Sequence, residues 1–146
     1  TMINEGRLIK SEIDMAHYQA DAVILWCVDD RFSSLLNDFV KLETFKHVDL
    51  VKIAGGAKDL ADAKKPEDSF AFGQIKKLIE LHRAPSIILV NHAKCGAYGK
   101  KFETEKEESD FHRAELQKAR LLLEANLDKN LNIKTYFADR GGLIAS

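Results

Sequence analysis

Long hydrophobic runs are absent from this sequence. The longest, Ala22–Val28 and Ser86–Val90, fall far short of the roughly 20 apolar residues that a membrane-spanning helix needs. An excess of charge of one sign is missing too: 22 Lys and Arg stand against 23 Asp and Glu, for a formal net charge of −1. With no basic run, nucleic acid is not an expected partner. Cysteine and proline are scarce, at two residues each, so neither a disulfide framework nor a proline-rich linker is encoded. Thr1–Lys10 is polar and lacks the apolar core of a secretory signal, and Thr1 ahead of Met2 reads as a cloning remnant. These absences predict a cytoplasmic protein with no membrane partner. In a reducing cytoplasm each cysteine is an inert core residue, a reactive thiol or a metal ligand.

What is present suffices for a core. A chain of 146 residues, 45% of them hydrophobic, fits one compact domain spanning 1–146 that needs no disulfide or structural metal. A bound metal would therefore serve chemistry rather than folding. Ala22–Cys27 is a continuous apolar run, as in a strand buried on both faces. Arg31 to Phe45 has helical spacing, with Leu35, Leu36, Phe39, Val40 and Leu42 on one side. Val48–Ala54 reads as a second strand and Ala57–Lys65 as a polar connection. Pro66 opens a helix carrying Ala71, Ile75, Leu78, Ile79 and His82, and Pro85 stops it. Ser86–Asn91 is a third strand. The acidic stretch Glu103–Asp110 reads as a solvated loop or helix start. A long helix from about Asp110 to Leu127, a strand at Ile133–Phe137 and a short last strand with Leu143 and Ile144 complete the pattern. Strands alternating with helices predict an α/β fold, a central mostly parallel β-sheet flanked by helices.

In such sheets, sites form at the carboxyl ends of the strands. Three loops qualify: Cys27-Val28-Asp29-Asp30-Arg31, Ala54-Gly55-Gly56-Ala57 and His92-Ala93-Lys94-Cys95-Gly96. Cys27, His92 and Cys95 are soft or borderline donors of the kind that suits zinc, and three protein ligands leave a fourth position open for chemistry. His92 and Cys95 can face one ion from a single tight turn, with Cys27 arriving from a neighbouring strand. Asp29 reaches toward the open position, and Arg31 can hold it ionised through a charge-assisted pair, with Asp30 as a competitor for the same arginine. Gly96 lets the backbone turn sharply beside the metal, and Gly55 and Gly56 let it pass close to a small pocket.

Other readings of these residues stand beside this one. A strand-end cysteine is commonly a small buried hydrophobe. A cysteine phosphatase also places its nucleophile after a buried strand, but Cys27 to Arg31 is too short for a phosphate cradle and carries two acids. The glycine pair lacks the lysine-serine of a phosphate loop. His17, His47, His82 and His112 have no neighbouring cysteine and read as surface or packing residues.

Taken together, C-x-D-x-R after the first strand, A-G-G after the second and H-x-x-C-G after the third resemble the β-class carbonic anhydrases, from about Ala22 to Gly96. The resemblance implies one zinc per chain on Cys27, His92 and Cys95, and an Asp29–Arg31 dyad. The aspartate there accepts a hydrogen bond from the attacking hydroxide or closes the site as a fourth ligand. It also implies reversible hydration of carbon dioxide to bicarbonate, by a homodimer or higher homo-oligomer whose partner chain helps line the pocket. The sequence departs from the family pattern at Asp30, where serine is usual, and at Lys52 and Ile53, where an arginine-asparagine pair is usual. Leu42–His47 offers no match for a pocket glutamine, and the N-terminal region is short. Hydrolysis of carbonyl sulfide or carbon disulfide on the same scaffold, a non-catalytic zinc protein and a metal-free α/β domain are the alternatives.

Overall fold

The computed structural model describes residues 6–146. The expectations about Thr1 and Met2 lie outside them. Five strands form one sheet: β1 (Ala22–Cys27), β2 (Val48–Ile53), β3 (Ser86–His92), β4 (Asn132–Asp139) and β5 (Gly142–Ala145). Their order is β2-β1-β3-β4-β5. The first four run parallel, and β5 returns antiparallel to β4. The helices are α1 (Ser33–Leu42), α2 (Lys58–Asp62), α3 (Phe70–His82) and α4 (Glu105–Asn126). This is the α/β architecture that the alternating pattern predicts.

Two layers of packing explain the apolar runs. Every residue of β1 is buried, because helices cover both faces. On one face Val23, Leu25, Ile87 and Leu89 meet Leu60 of α2, Ile75 of α3 and Leu116 and Leu123 of α4. On the other, Ile24, Trp26, Ile88 and Val90 meet Leu36 and Phe39 of α1. Away from the strands' carboxyl ends, buried Asp49 accepts from the Tyr18 hydroxyl and lies 2.7 Å from His82 Nδ1. His82 is therefore a packing residue of that pole.

The structure shifts several boundaries. Asp30–Phe32 is a 3₁₀ turn, and α1 begins only at Ser33. Ala57–Lys65 contains α2, a helix too short and polar for its period to show, with buried Leu60 as its anchor. Pro66–Asp68 is a separate 3₁₀ turn, and α3 starts at Phe70 behind a Ser69 cap whose hydroxyl accepts from the Phe72 amide. α3 ends at His82, where Arg83 adopts a left-handed backbone with φ 52°. α4 begins at Glu105, five residues before the expected start, because Thr104 caps it and its acidic first turn suits the helix dipole.

Gly56 fixes how closely the β2–α2 loop can approach the sheet. Its φ is +58°, and a Cβ there would stand 2.6 Å from the Val90 carbonyl oxygen. Gly56→Ala combines left-handed strain with a clash against backbone, so it should cost roughly 2–4 kcal/mol of stability. Urea unfolding monitored by circular dichroism measures this; a midpoint equal to wild type would contradict the packing described.

Candidate metal centre

Cys27 closes β1 and His92 closes β3, and these strands pair in parallel, so both residues reach the same edge of the sheet side by side. Cys95 follows in a series of tight turns. Their ligand atoms all lie within 4.8 Å of one another, and all three residues are buried. The His92 ring stacks on Phe32, centroids 4.6 Å apart. His92 Nδ1 lies 2.7 Å from the Ala93 carbonyl oxygen. A carbonyl only accepts, so Nδ1 carries the proton and Nε2 faces the cluster. Among the described residues Nε2 is the buried side-chain nitrogen or oxygen atom without a hydrogen-bond partner. A buried lone pair aimed at two thiols is what a zinc-type cation would satisfy, so the residues present fit such an ion.

The three groups are also electrostatically coupled. The hydrogen bond from Cys95 pulls the Cys27 thiol far below its ordinary pKa, against the effect of burial. The same bond, with burial, pushes Cys95 up. For His92, burial disfavours the charged ring, but the contacts to Cys27 and the Ala93 carbonyl outweigh it and the net shift is upward. The three groups hold protons between them that a cation would displace.

Asp29 stands at the rim. Arg31 Nη2 lies 2.6 Å from Asp29 Oδ2, and Arg31 Nε donates to Oδ1 at 3.0 Å and Oδ2 at 3.2 Å. The Arg31 backbone N–H adds a bond to Oδ1 at 3.0 Å. Chiefly through these Arg31 bonds the carboxyl is held down, at about 2. Asp29 Oδ2 lies 3.7 Å from His92 Nε2, beside the cluster. Arg31 Nη2 also donates to the Lys94 carbonyl at 3.1 Å, which ties the β1 loop to the Cys95 loop.

Lys94 sits between His92 and Cys95 with φ 55°, a strained left-handed conformation for a residue with a side chain. Its N–H donates to Glu108 Oε2 at 2.8 Å, so α4 holds the strain in place from below. Glu108 belongs to the acidic stretch read as solvated, yet it is buried. His112, one turn further along α4, is also buried and stacks on Phe137 at 5.2 Å. Burial, with the neighbouring His92, takes its pKa down to about 4. The inward face of α4 runs Glu108, His112, Glu115, Leu116, Ala119 and Leu123. Three polar residues at helical spacing extend the apolar stripe toward the site, and that continuity was the signal for them.

The predicted pocket glycines divide. Gly55, with φ +87°, packs against Lys58 and Ala97, and Gly56 packs against the ends of β1 and β3. Both shape the wall through backbone approach. Gly96 lines a cleft of about 670 Å³ together with Cys95, Lys100 and Phe102. A second cleft, of about 570 Å³, is lined by Arg31, Phe32, Leu35, Phe137 and Arg140. Lys94, Glu105 and Glu108 line both.

A family described as "Putative carbonic anhydrase" matches residues 18–144. An uncharacterized protein of Rickettsia bellii (strain RML369-C) is 26% identical over 159 residues, covering 98% of this chain and 93% of its own. The crystal structure of β-carbonic anhydrase isoform I from Trichomonas vaginalis aligns with a TM-score of 0.62 at 16% identity, over 99% of this chain and 91% of that one. The apo form of a carbon disulfide hydrolase aligns with a TM-score of 0.54 at 13% identity, over 84% of this chain and 76% of that one. At such identities the solved structures share the fold. The family match runs from ahead of β1 into β5, and by it the chain belongs to this carbonic anhydrase family, as a short, divergent member with the β-class fold.

Proposed function

We propose that this chain catalyses the reversible hydration of carbon dioxide to bicarbonate in the cytoplasm, at one zinc ion held by Cys27, His92 and Cys95. The observation that carries this reading is the unpartnered His92 Nε2, buried beside two thiols at the joined ends of β1 and β3. A zinc ion there supplies Lewis acidity, which makes hydroxide available from water near neutral pH.

The chain's own residues do the rest. The Ala93 carbonyl fixes the His92 tautomer, keeping the Nε2 lone pair directed into the cluster. Arg31 keeps Asp29 ionised throughout the neutral range, so its carboxylate can accept the hydroxide's hydrogen and aim the oxygen lone pair at the carbon. Attack forms one C–O bond and moves an electron pair of a C=O bond onto oxygen, giving bicarbonate; the other proton of the water leaves to solvent. The hold of Arg31 on Asp29 supports an open fourth position rather than a site closed by the aspartate. Leu8, Ile9, Ile13 and Met15, all exposed ahead of Tyr18, support assembly as a homodimer or higher homo-oligomer. No helix among the described residues is long and apolar enough to cross a membrane. Hydrolysis of carbon disulfide or carbonyl sulfide is the second reading, favoured by the fold shared with the carbon disulfide hydrolase.

Metal analysis of the purified protein should find about one zinc per chain. Cys95→Ala and His92→Ala should each lose it; full zinc retention in both variants would contradict the ligand assignment. Asp29→Ala and Arg31→Ala should keep zinc while carbon dioxide turnover falls by about 10²-fold or more. Undiminished turnover in either would remove the role given to that residue.

A further inference from the structure

We infer that Asn91 is a positioning residue for the metal centre, its side-chain amide latching the Cys95 loop, the Gly55-Gly56 loop and α4 together from behind. This inference rests on the zinc reading above. Successive residues of β3 face opposite sides of the sheet. His92 turns toward α1 and Phe32, while Asn91 turns toward α2 and α4, where it is only 1% exposed. Its Oδ1 accepts the Ala57 N–H at 3.0 Å. Its Nδ2 donates to the Tyr98 hydroxyl at 3.0 Å and lies 3.1 Å from His112 Nδ1. The Ala57 donor fixes the orientation of the amide, so His112 Nδ1 is an acceptor and its ring is neutral. The amide's oxygen and both of its hydrogens are thus used.

Each tie leads to a wall of the site. Tyr98 anchors the loop that carries Cys95, and its N–H donates to the Cys95 carbonyl at 3.3 Å. Ala57 follows Gly56, whose Cα packs so close to the ends of β1 and β3 that a Cβ there would stand 2.6 Å from the Val90 carbonyl oxygen and 3.6 Å from the Cys27 nitrogen. His112 lies one turn from Glu108, which holds Lys94. One buried amide therefore sets the spacing between the Cys27 and Cys95 sides of the centre. Groups hydrogen-bonded directly to metal ligands are commonly worth about 10- to 100-fold in metal affinity, and Asn91 acts one contact further out, through Ala57 and Tyr98.

Tyr98→Phe tests this without disturbing the ring packing, and Asn91→Leu removes the whole hub. Zinc affinity is read by chelator competition, and ligand geometry by the visible bands of the cobalt(II)-substituted protein. Tyr98→Phe should weaken zinc binding measurably, by up to about 10-fold, and shift the cobalt bands. Asn91→Leu should do so more strongly. Tyr136→Phe, which deletes a tyrosine hydroxyl on the α1 side of the sheet, should change neither. In zinc-free protein, Cys95 should be alkylated by iodoacetamide faster in Tyr98→Phe than in wild type. Wild-type affinity, bands and alkylation rate in Tyr98→Phe would overturn the positioning role while the zinc reading stands. A wild-type protein that takes up neither zinc nor cobalt would overturn both.

Discussion

Because β1 and β3 lie side by side and parallel, their chains leave the sheet at one point and diverge, β1 continuing to β2 on one side and β3 to β4 on the other. A crevice opens where the order reverses. Cys27 and His92 are the last residues of these two strands, so the pairing of β1 with β3 brings a thiol and an imidazole together from distant parts of the chain. The continuous burial of β1 and β3 between two helical layers holds that pairing in register. The apolar packing on both faces of the sheet is thus the support for a polar site at its end.

Around that point the polar groups are arranged so that few are left unpaired. Asp29 is held by Arg31, Arg31 also by the Lys94 carbonyl, and the Lys94 amide by Glu108. On the other side of the sheet the Asn91 amide bonds both the Tyr98 hydroxyl and His112 Nδ1. Among the described residues His92 Nε2 stands apart from this pattern, buried and without a hydrogen-bond partner. A buried lone pair without a partner costs free energy unless something binds to it, which is why a cation fits here better than an empty, apolar packing role. The strained backbone of Lys94, clamped from two sides, lies between His92 and Cys95.

Much of this was legible from local sequence. Ala22–Cys27 and Ser86–Asn91, with its apolar stretch Ile87–Val90, read as buried strands, and C-x-D-x-R and H-x-x-C-G sit directly at their ends. The match between C-x-D-x-R, A-G-G and H-x-x-C-G also predicted which loops would meet. What sequence did not reveal depends on tertiary contact. α2 is too short to show a helical period, and only its contact through Leu60 defines it. The burial of Glu108 and His112 was hidden because an acidic run reads as solvated until a helix docks over the site. Asn91 looked like the end of an apolar strand; its hydrogen-bond partners come from three separate elements that sequence cannot place.

The central claim is that the Cys27, His92 and Cys95 cluster does chemistry on carbon dioxide. Stopped-flow measurement of carbon dioxide hydration, from about pH 6.5 to 9 on protein of known zinc content, tests it most directly. The geometry predicts fast hydration that rises with pH as hydroxide becomes available and disappears in Cys95→Ala. Zinc-loaded protein that shows no hydration at any pH in that range would contradict it.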